Sequence, residues 1–163
     1  MDLQVAGFLE HSTVNGIGFR SVLFVSGCHH HCLDCQNKEM QDFSYGEKTS
    51  IQTIYERILK NKPLLDGVTF SGGEPFEQSE ALASLAKRLK QEGLSIWCYS
   101  GYTYETLSND PSKMCLLKLI DVLVDGPFIK EKANSELKYR GSANQHIYAL
   151  NNGQIIACLD KDF

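Results

Sequence analysis

Apolar residues along this chain fall into short β-branched runs separated by longer stretches with helical spacing. The run "RSVLFVSG" (residues 20–27) is closed by a glycine and predicts a buried strand. Residues 4–9 are expected to join the same sheet beside it. Ser50 or Thr49 is placed to cap a helix running to about Lys60, with Ile51, Ile54, Tyr55 and Ile58 on one face. "DGVTF" predicts a second strand, which ends in the turn "SGGEP". Residues 77–92 form an amphipathic helix pattern on Leu82, Leu85, Ala86 and Leu89, and Gly93 stops it. "LSIWCYS" predicts a third strand. Helical residues follow around 104–107 and 112–119, interrupted by "NDP". "DVLVDG" predicts a fourth strand. After Gly126 the chain turns polar, until "HIYALNNGQIIACL" predicts two strands joined by an Asn-Asn-Gly turn.

Strands that are nearly all apolar, alternating with helices, predict an α/β fold with a mostly parallel sheet covered by helices. In such sheets the loops leaving the strands' C-terminal ends build the site. The cysteine-bearing loop after residue 27, "SGGEP", "YSGYTYE" and "VDGPF" all leave strands in this way, so they should converge on one rim. The 163 residues fit one domain, 1–163, with no internal repeat, linker or low-complexity segment.

Charge narrows the partners. Twenty acidic residues against 16 Lys and Arg leave a net charge of −4, which argues against nucleic acid, because phosphate binding needs clustered basic residues. The densest basic group, Lys130, Lys132, Lys138 and Arg140, reads as a solvated loop. No apolar run approaches membrane-spanning length, and "MDLQVAGFLEHS" lacks the features of a signal peptide, so a cytoplasmic location is expected. In a reducing compartment the six cysteines are expected to be free, catalytic or metal-bound rather than disulfide-linked. Cys98, Cys115 and Cys158 stand isolated in apolar stretches and are expected to behave as small buried hydrophobes.

Cys28, Cys32 and Cys35 are different, because "GCHHHCLDCQN" gathers three thiols in one loop and supplies no fourth. Zinc in a structural site requires a closed tetrahedron, with His29, His30 or His31 as the remaining ligand. A cubane iron–sulfur cluster is normally held by four cysteines, so three would leave one iron open to a substrate. Iron ranks ahead of zinc, and zinc ahead of no metal. The histidines are otherwise read as solvated groups or neighbours of the metal's ligands. In "SGGEP", Gly72 and Gly73 permit close backbone approach to a ligand, Glu74 can accept from an ammonium, and Pro75 stiffens the exit.

"CHHHCLDC" matches the C-x3-C-x2-C signature of the radical S-adenosylmethionine superfamily, and "SGGEP" matches its Gly-Gly-Glu motif. "GYTYE", "VDGPF" and "RGSANQ" further resemble the activating proteins of anaerobic ribonucleoside-triphosphate reductase, a likeness spanning residues 16–147. The resemblance implies a partial (β/α) barrel and a [4Fe–4S] cluster on Cys28, Cys32 and Cys35. It also implies that S-adenosyl-L-methionine, the cosubstrate, completes the open iron. It places the methionine end of that cosubstrate at Gly72, Gly73 and Glu74, and adenine against the backbone of Asp34, Cys35 and Gln36. Ser100 and Asp125, at the ends of the third and fourth strands, become further polar contacts. An aromatic residue often precedes the last cysteine in this superfamily. Here it is Asp34, which favours backbone contact over ring stacking.

The activity implied is an oxidoreductase that cleaves the cosubstrate reductively and places a glycyl radical on the large subunit of the reductase. A one-electron donor of the flavodoxin kind is implied as a second partner. The alternatives are an activase of another glycyl-radical enzyme such as pyruvate formate-lyase, a small-molecule enzyme of the superfamily, or a zinc-stabilised binding module. "NGIGFR" (residues 15–20) resembles an activase segment, and Arg20 is expected to meet an acidic group near the cluster. Tyr99, Tyr102 and Tyr104 read as packing residues.

Overall fold

The structure, a computed structural model, describes residues 1–30, 35 and 38–163. In chain order it contains β1 (Asp2–Ser12), β2 (Arg20–Val25), β3 (Glu47–Ser50), α1 (Ile51–Leu59), β4 (Gly67–Gly72) and α2 (Ser79–Gln91). There follow β5 (Ser95–Tyr99), α3 (Tyr104–Ser108), α4 (Pro111–Leu117), β6 (Val122–Asp125), β7 (His146–Asn151) and β8 (Gln154–Cys158). Short 3-10 turns, among them Pro75–Gln78, fill several connections.

Local chemistry sets the helix ends. Ser50 Oγ accepts from Thr53 N at 3.1 Å and starts α1, which buries Ile51, Ile54 and Ile58. Thr103 caps α3 in the same way. "NDP" is more than an interruption: Asp110 accepts from Ser112 N at 3.0 Å and Pro111 opens α4, so the tripeptide ends one helix and nucleates the next. Between β7 and β8, Asn152 and Gly153 take φ of 51° and 80°, the left-handed pair that a two-residue hairpin turn requires.

The eight strands of the described residues lie in one sheet, ordered β3-β1-β2-β4-β5-β6-β7-β8. The mostly parallel sheet expected from the alternation is corrected here. β2, β4, β5 and β6 are parallel neighbours, but the other four of the seven pairings are antiparallel. The reason lies in the connections. Parallel neighbours need a crossover, which α1, α2, α3 and α4 provide. The β7–β8 link is a tight turn, and the chain between β6 and β7 carries no α-helix. β3, with sequence EKTS, has no apolar signature, so the hydrophobic pattern does not predict it.

Side-chain alternation divides the sheet into two faces. Leu23, Val25, Val68, Phe70, Ile96, Cys98 and Leu123 form one core with Ile54 and Ile58 of α1, Leu82, Leu85 and Leu89 of α2, Leu107 of α3 and Leu116 of α4. Burying each such Leu or Ile contributes about 1.5–3 kcal/mol before conformational entropy is subtracted. The opposite face carries a smaller cluster of Trp97, Val124 and Ile147, packed by Tyr139 and Phe163. No helix among the described residues is long and apolar enough to cross a membrane.

Candidate functional site

The four parallel strands end on one rim, and the residue groups that follow them meet there. Cys28 after β2, Gly73 after β4, Ser100 after β5 and Gly126 after β6 all line a single cavity of about 640 Å³. The third cysteine position, Cys35, lines it as well. Cys28 is buried and Cys35 is partly exposed. Cys32, Asp34 and Gln36, together with His31, lie outside the described residues.

Backbone hydrogen bonds fix where the cysteine loop begins. Gly27 N donates to Met40 O at 2.7 Å and Cys28 N to Gln41 O at 3.1 Å, so the loop leaves and returns at one point. Gly73 N donates to Val25 O at 2.7 Å and Glu74 N to Gly27 O at 2.8 Å, stitching "SGGEP" to the same place. These contacts explain the glycine pair. Gly72 has φ of +108°, and a Cβ there would lie 2.4 Å from Val25 O. A Cβ on Gly73 would come within 2.5 Å of Met40 O and 2.7 Å of Gly27 O. The close approach is therefore loop against loop, with both glycines still bordering the cavity.

Glu74 is fully buried, and both of its oxygens are engaged. Oε2 accepts from Phe76 N at 3.1 Å and Ser100 Oγ at 2.9 Å. Oε1 accepts from Gly101 N at 2.7 Å and stands 2.7 Å from His30 Nε2. One carboxylate thus joins the loops after β2, β4 and β5. A buried charge persists only when hydrogen-bonded in this way. His30 also lies edge-on to Tyr102 at 4.3 Å, and its backbone N–H points at Cys28 Sγ, 3.4 Å away. This linking role of His30 was missed, because three adjacent histidines give no indication of which one turns inward. His29 is mostly exposed, 3.7 Å from Glu77.

Ser100 both donates to Glu74 and accepts from Tyr102 N at 3.0 Å. Asp125, buried and next to cavity-lining Gly126, does not itself line the cavity: its carboxylate accepts from Tyr104 N at 2.8 Å and His146 N at 3.1 Å, holding α3 and β7 together. Burial raises its pKa, partly offset by these two hydrogen bonds. Tyr99 lines the cavity, and burial pushes its phenol well above the usual range. Tyr102 donates to Glu77, and Tyr104 donates to Gly153 O at 2.7 Å.

Three expectations are corrected. Among the described residues Arg20 meets no carboxylate, and it opens β2 at the end opposite Cys28, so the length of that strand, roughly 16 Å, separates the two backbones. Its guanidinium donates to Thr69 Oγ1, Ile17 O, Val68 O, and both Oγ and O of Ser95 at 2.7–3.0 Å. Burial lowers its pKa to about 10, with the nearby Asp121 and Asp66 opposing that shift. Cys98 is a buried hydrophobe, as its setting suggested, but Cys115 and Cys158 are exposed. Cys158 ends β8, an edge strand exposed along its whole length, and an apolar local sequence did not reveal this. Arg140 is not in a solvated loop; its side chain is largely buried and borders the cavity.

The residues present fit an iron–sulfur centre with a polar organic ligand. Two soft sulfur donors wall the cavity, and thiolates are the ligands such clusters take. Two buried nitrogen groups in residues that border it, Gln41 Nε2 and Arg140 Nε, have no hydrogen-bond partner among the described residues. Buried polar atoms in this state call for a partner such as a water, an ion or a ligand.

Residues 14–148 match the family model described as a 4Fe-4S single cluster domain, and that class is the one this fold and thiol-lined cavity define. The anaerobic ribonucleoside-triphosphate reductase-activating proteins of Vibrio cholerae and Pasteurella multocida are each 40% identical to it, over alignments covering 83% of this chain and 90% of theirs. The protein of the same name from Escherichia coli is 34% identical, covering 84% and 92%. The chain belongs to the family of anaerobic ribonucleoside-triphosphate reductase-activating proteins. Its fold is similar to the crystal structure of QueE from Escherichia coli, with a TM-score of 0.51 and 18% identity over 63% of this chain and 54% of QueE.

Proposed function

We propose that this chain activates anaerobic ribonucleoside-triphosphate reductase by generating a glycyl radical on it, using S-adenosyl-L-methionine as cosubstrate. The observation that carries the reading is the shared cavity of Cys28, Cys35, Gly72, Gly73 and Ser100. Family membership supports the choice of substrate. Cys28, Cys32 and Cys35 would hold the cluster. When bound, it supplies the electron that breaks a carbon–sulfur bond of the sulfonium.

The chain's own residues position and shield. Gly72 and Gly73 give the cosubstrate a wall without side chains. Gln41 and Arg140 offer nitrogen donors to its polar groups, and Asp34 and Gln36 offer backbone to its adenine. Glu74 and Asp125 serve by placing what lines the cavity: Glu74 fixes Ser100 and Gly101, and Asp125 fixes the strand end before Gly126. No general base is needed, which accords with a site built from thiols, glycines and amides.

The sheet is open, with β3 and β8 as its edges, which supports a partial barrel made from a single domain. An open barrel leaves room for a glycine-bearing loop of a macromolecular substrate. A flavodoxin-like donor in the cytoplasm would supply the electron. The test is anaerobic reconstitution with iron and sulfide, followed by electron paramagnetic resonance after mixing with cosubstrate, reductant and the reductase. A glycyl radical signal that disappears in Cys28→Ala, Cys32→Ala and Cys35→Ala is expected. A fully loaded protein that yields no such signal would overturn the reading.

A further inference from the structure

A second group of metal-ligating side chains lies at the far edge of the sheet. His146 opens β7, Cys158 closes β8, and Asp160 begins the 3-10 turn Asp160–Asp162 at the C-terminal end. One ligand atom from each, a ring nitrogen, a sulfur and a carboxylate oxygen, lies within 4.8 Å of the others. His146 Nδ1 is 2.7 Å from Asp160 Oδ2. The antiparallel register pairs Tyr148 with Cys158, bringing the start of β7 beside the end of β8.

The constellation is built from more than proximity. Asp160 is held from two sides: Ile147 N donates to its Oδ1 at 2.7 Å, and Arg140 donates to its backbone carbonyl at 3.1 Å. Leu159 N donates to Ile147 O at 2.7 Å, fixing the backbone between Cys158 and Asp160. Oδ1 is thus occupied by the fold, while Oδ2 faces the imidazole. The Arg140 guanidinium stands 3.8 Å from Oδ2, beyond hydrogen-bond distance, and its Nη1 donates instead to Gln145 O. The exposed His146 and Cys158 leave the approach open to solvent.

We infer that His146, Cys158 and Asp160 form a zinc site separate from the cysteine loop, with water as the fourth ligand. A thiolate beside an imidazole and a carboxylate selects a borderline-soft ion over magnesium or calcium, and three protein ligands with an open position are a standard zinc arrangement. The ion would tie the β7–β8 hairpin to the chain end. That end bears on the main cavity, because Phe163 packs on Tyr139 at 5.0 Å and Tyr139 borders it. This site does not depend on the function proposed above.

The experiment uses full-length protein reconstituted anaerobically with iron and sulfide, then exposed to zinc sulfate and freed of excess by gel filtration. Metal content and zinc-edge X-ray absorption are measured for the wild type, His146→Ala and Cys158→Ser. Stoichiometric zinc with one sulfur among nitrogen and oxygen ligands is expected. Both variants, altered at exposed positions, should lose it while keeping wild-type iron. Absence of zinc from the wild type overturns the site, as does zinc retained in Cys158→Ser or a sulfur-rich zinc environment that places the ion on Cys28, Cys32 and Cys35.

Discussion

His30 Nε2 stands 2.7 Å from Glu74 Oε1, on a carboxylate that also accepts from Gly101 N and Ser100 Oγ. The cysteine loop, the glycine loop and the end of β5 are thereby fastened to one buried anion. Glu74→Gln should break this arrangement, because either orientation of the amide points its NH2 at a backbone N–H, of Gly101 or Phe76. A loss of about 2–3 kcal/mol is expected from the unsatisfied donors. Denaturant unfolding would measure it, and iron retention after reconstitution should fall in parallel.

Gly73→Ala tests the contact between the two loops. Its Cβ would meet the backbone carbonyls of Met40 and Gly27, neither of which can turn aside as a flexible side chain would. The cysteine loop must shift to admit it. Iron and acid-labile sulfide after reconstitution should therefore drop well below wild type, while far-ultraviolet circular dichroism stays close to it.

Arg20→Lys removes the fork that reaches Thr69, Val68, Ile17 and Ser95. An ammonium cannot satisfy this set of acceptors, so roughly 2–3 kcal/mol of stability should be lost. Because Arg20 and Cys28 lie at opposite ends of β2, the iron content of the folded protein should be unchanged. A selective loss of iron at wild-type stability would contradict this placement.

The thiols should divide by burial. Burial, with the Glu74 charge adding to it, holds the Cys98 thiol well above its ordinary pKa, so it stays protonated near neutral pH. Cys115 and Cys158 are exposed. Mass spectrometry after brief alkylation of the native, zinc-free protein should find the second pair modified and Cys98 untouched until denaturant is added.

Asp125 gives a pH signature. Burial raises its folded pKa above the unfolded value of about 3.9. Between those two values the folded state holds a proton that the unfolded state has released. Stability from this group is therefore present at low pH, falls as pH rises through the folded pKa and is flat above it. The difference in unfolding free energy between wild type and Asp125→Asn, followed across acidic pH, should fall over this window.

How far the residues speak for themselves can be judged from particular cases. Ser50 and Asn152-Gly153 fixed a helix start and a hairpin because capping and turn geometry are short-range and need no distant partner. The C-x3-C-x2-C and Gly-Gly-Glu motifs announced the site's chemistry for the same reason, since their spacing is itself the information. Tertiary structure decided what depends on neighbours distant in sequence. It placed polar β3 against β1, made four strand pairings antiparallel, left Cys158 on an exposed edge, and buried Arg20 among carbonyls far from the thiols. It also turned Glu74 from a free acceptor into the joint between loops. Local sequence determines dihedral preference and donor chemistry, whereas burial and hydrogen-bond partners come from contacts across the sheet.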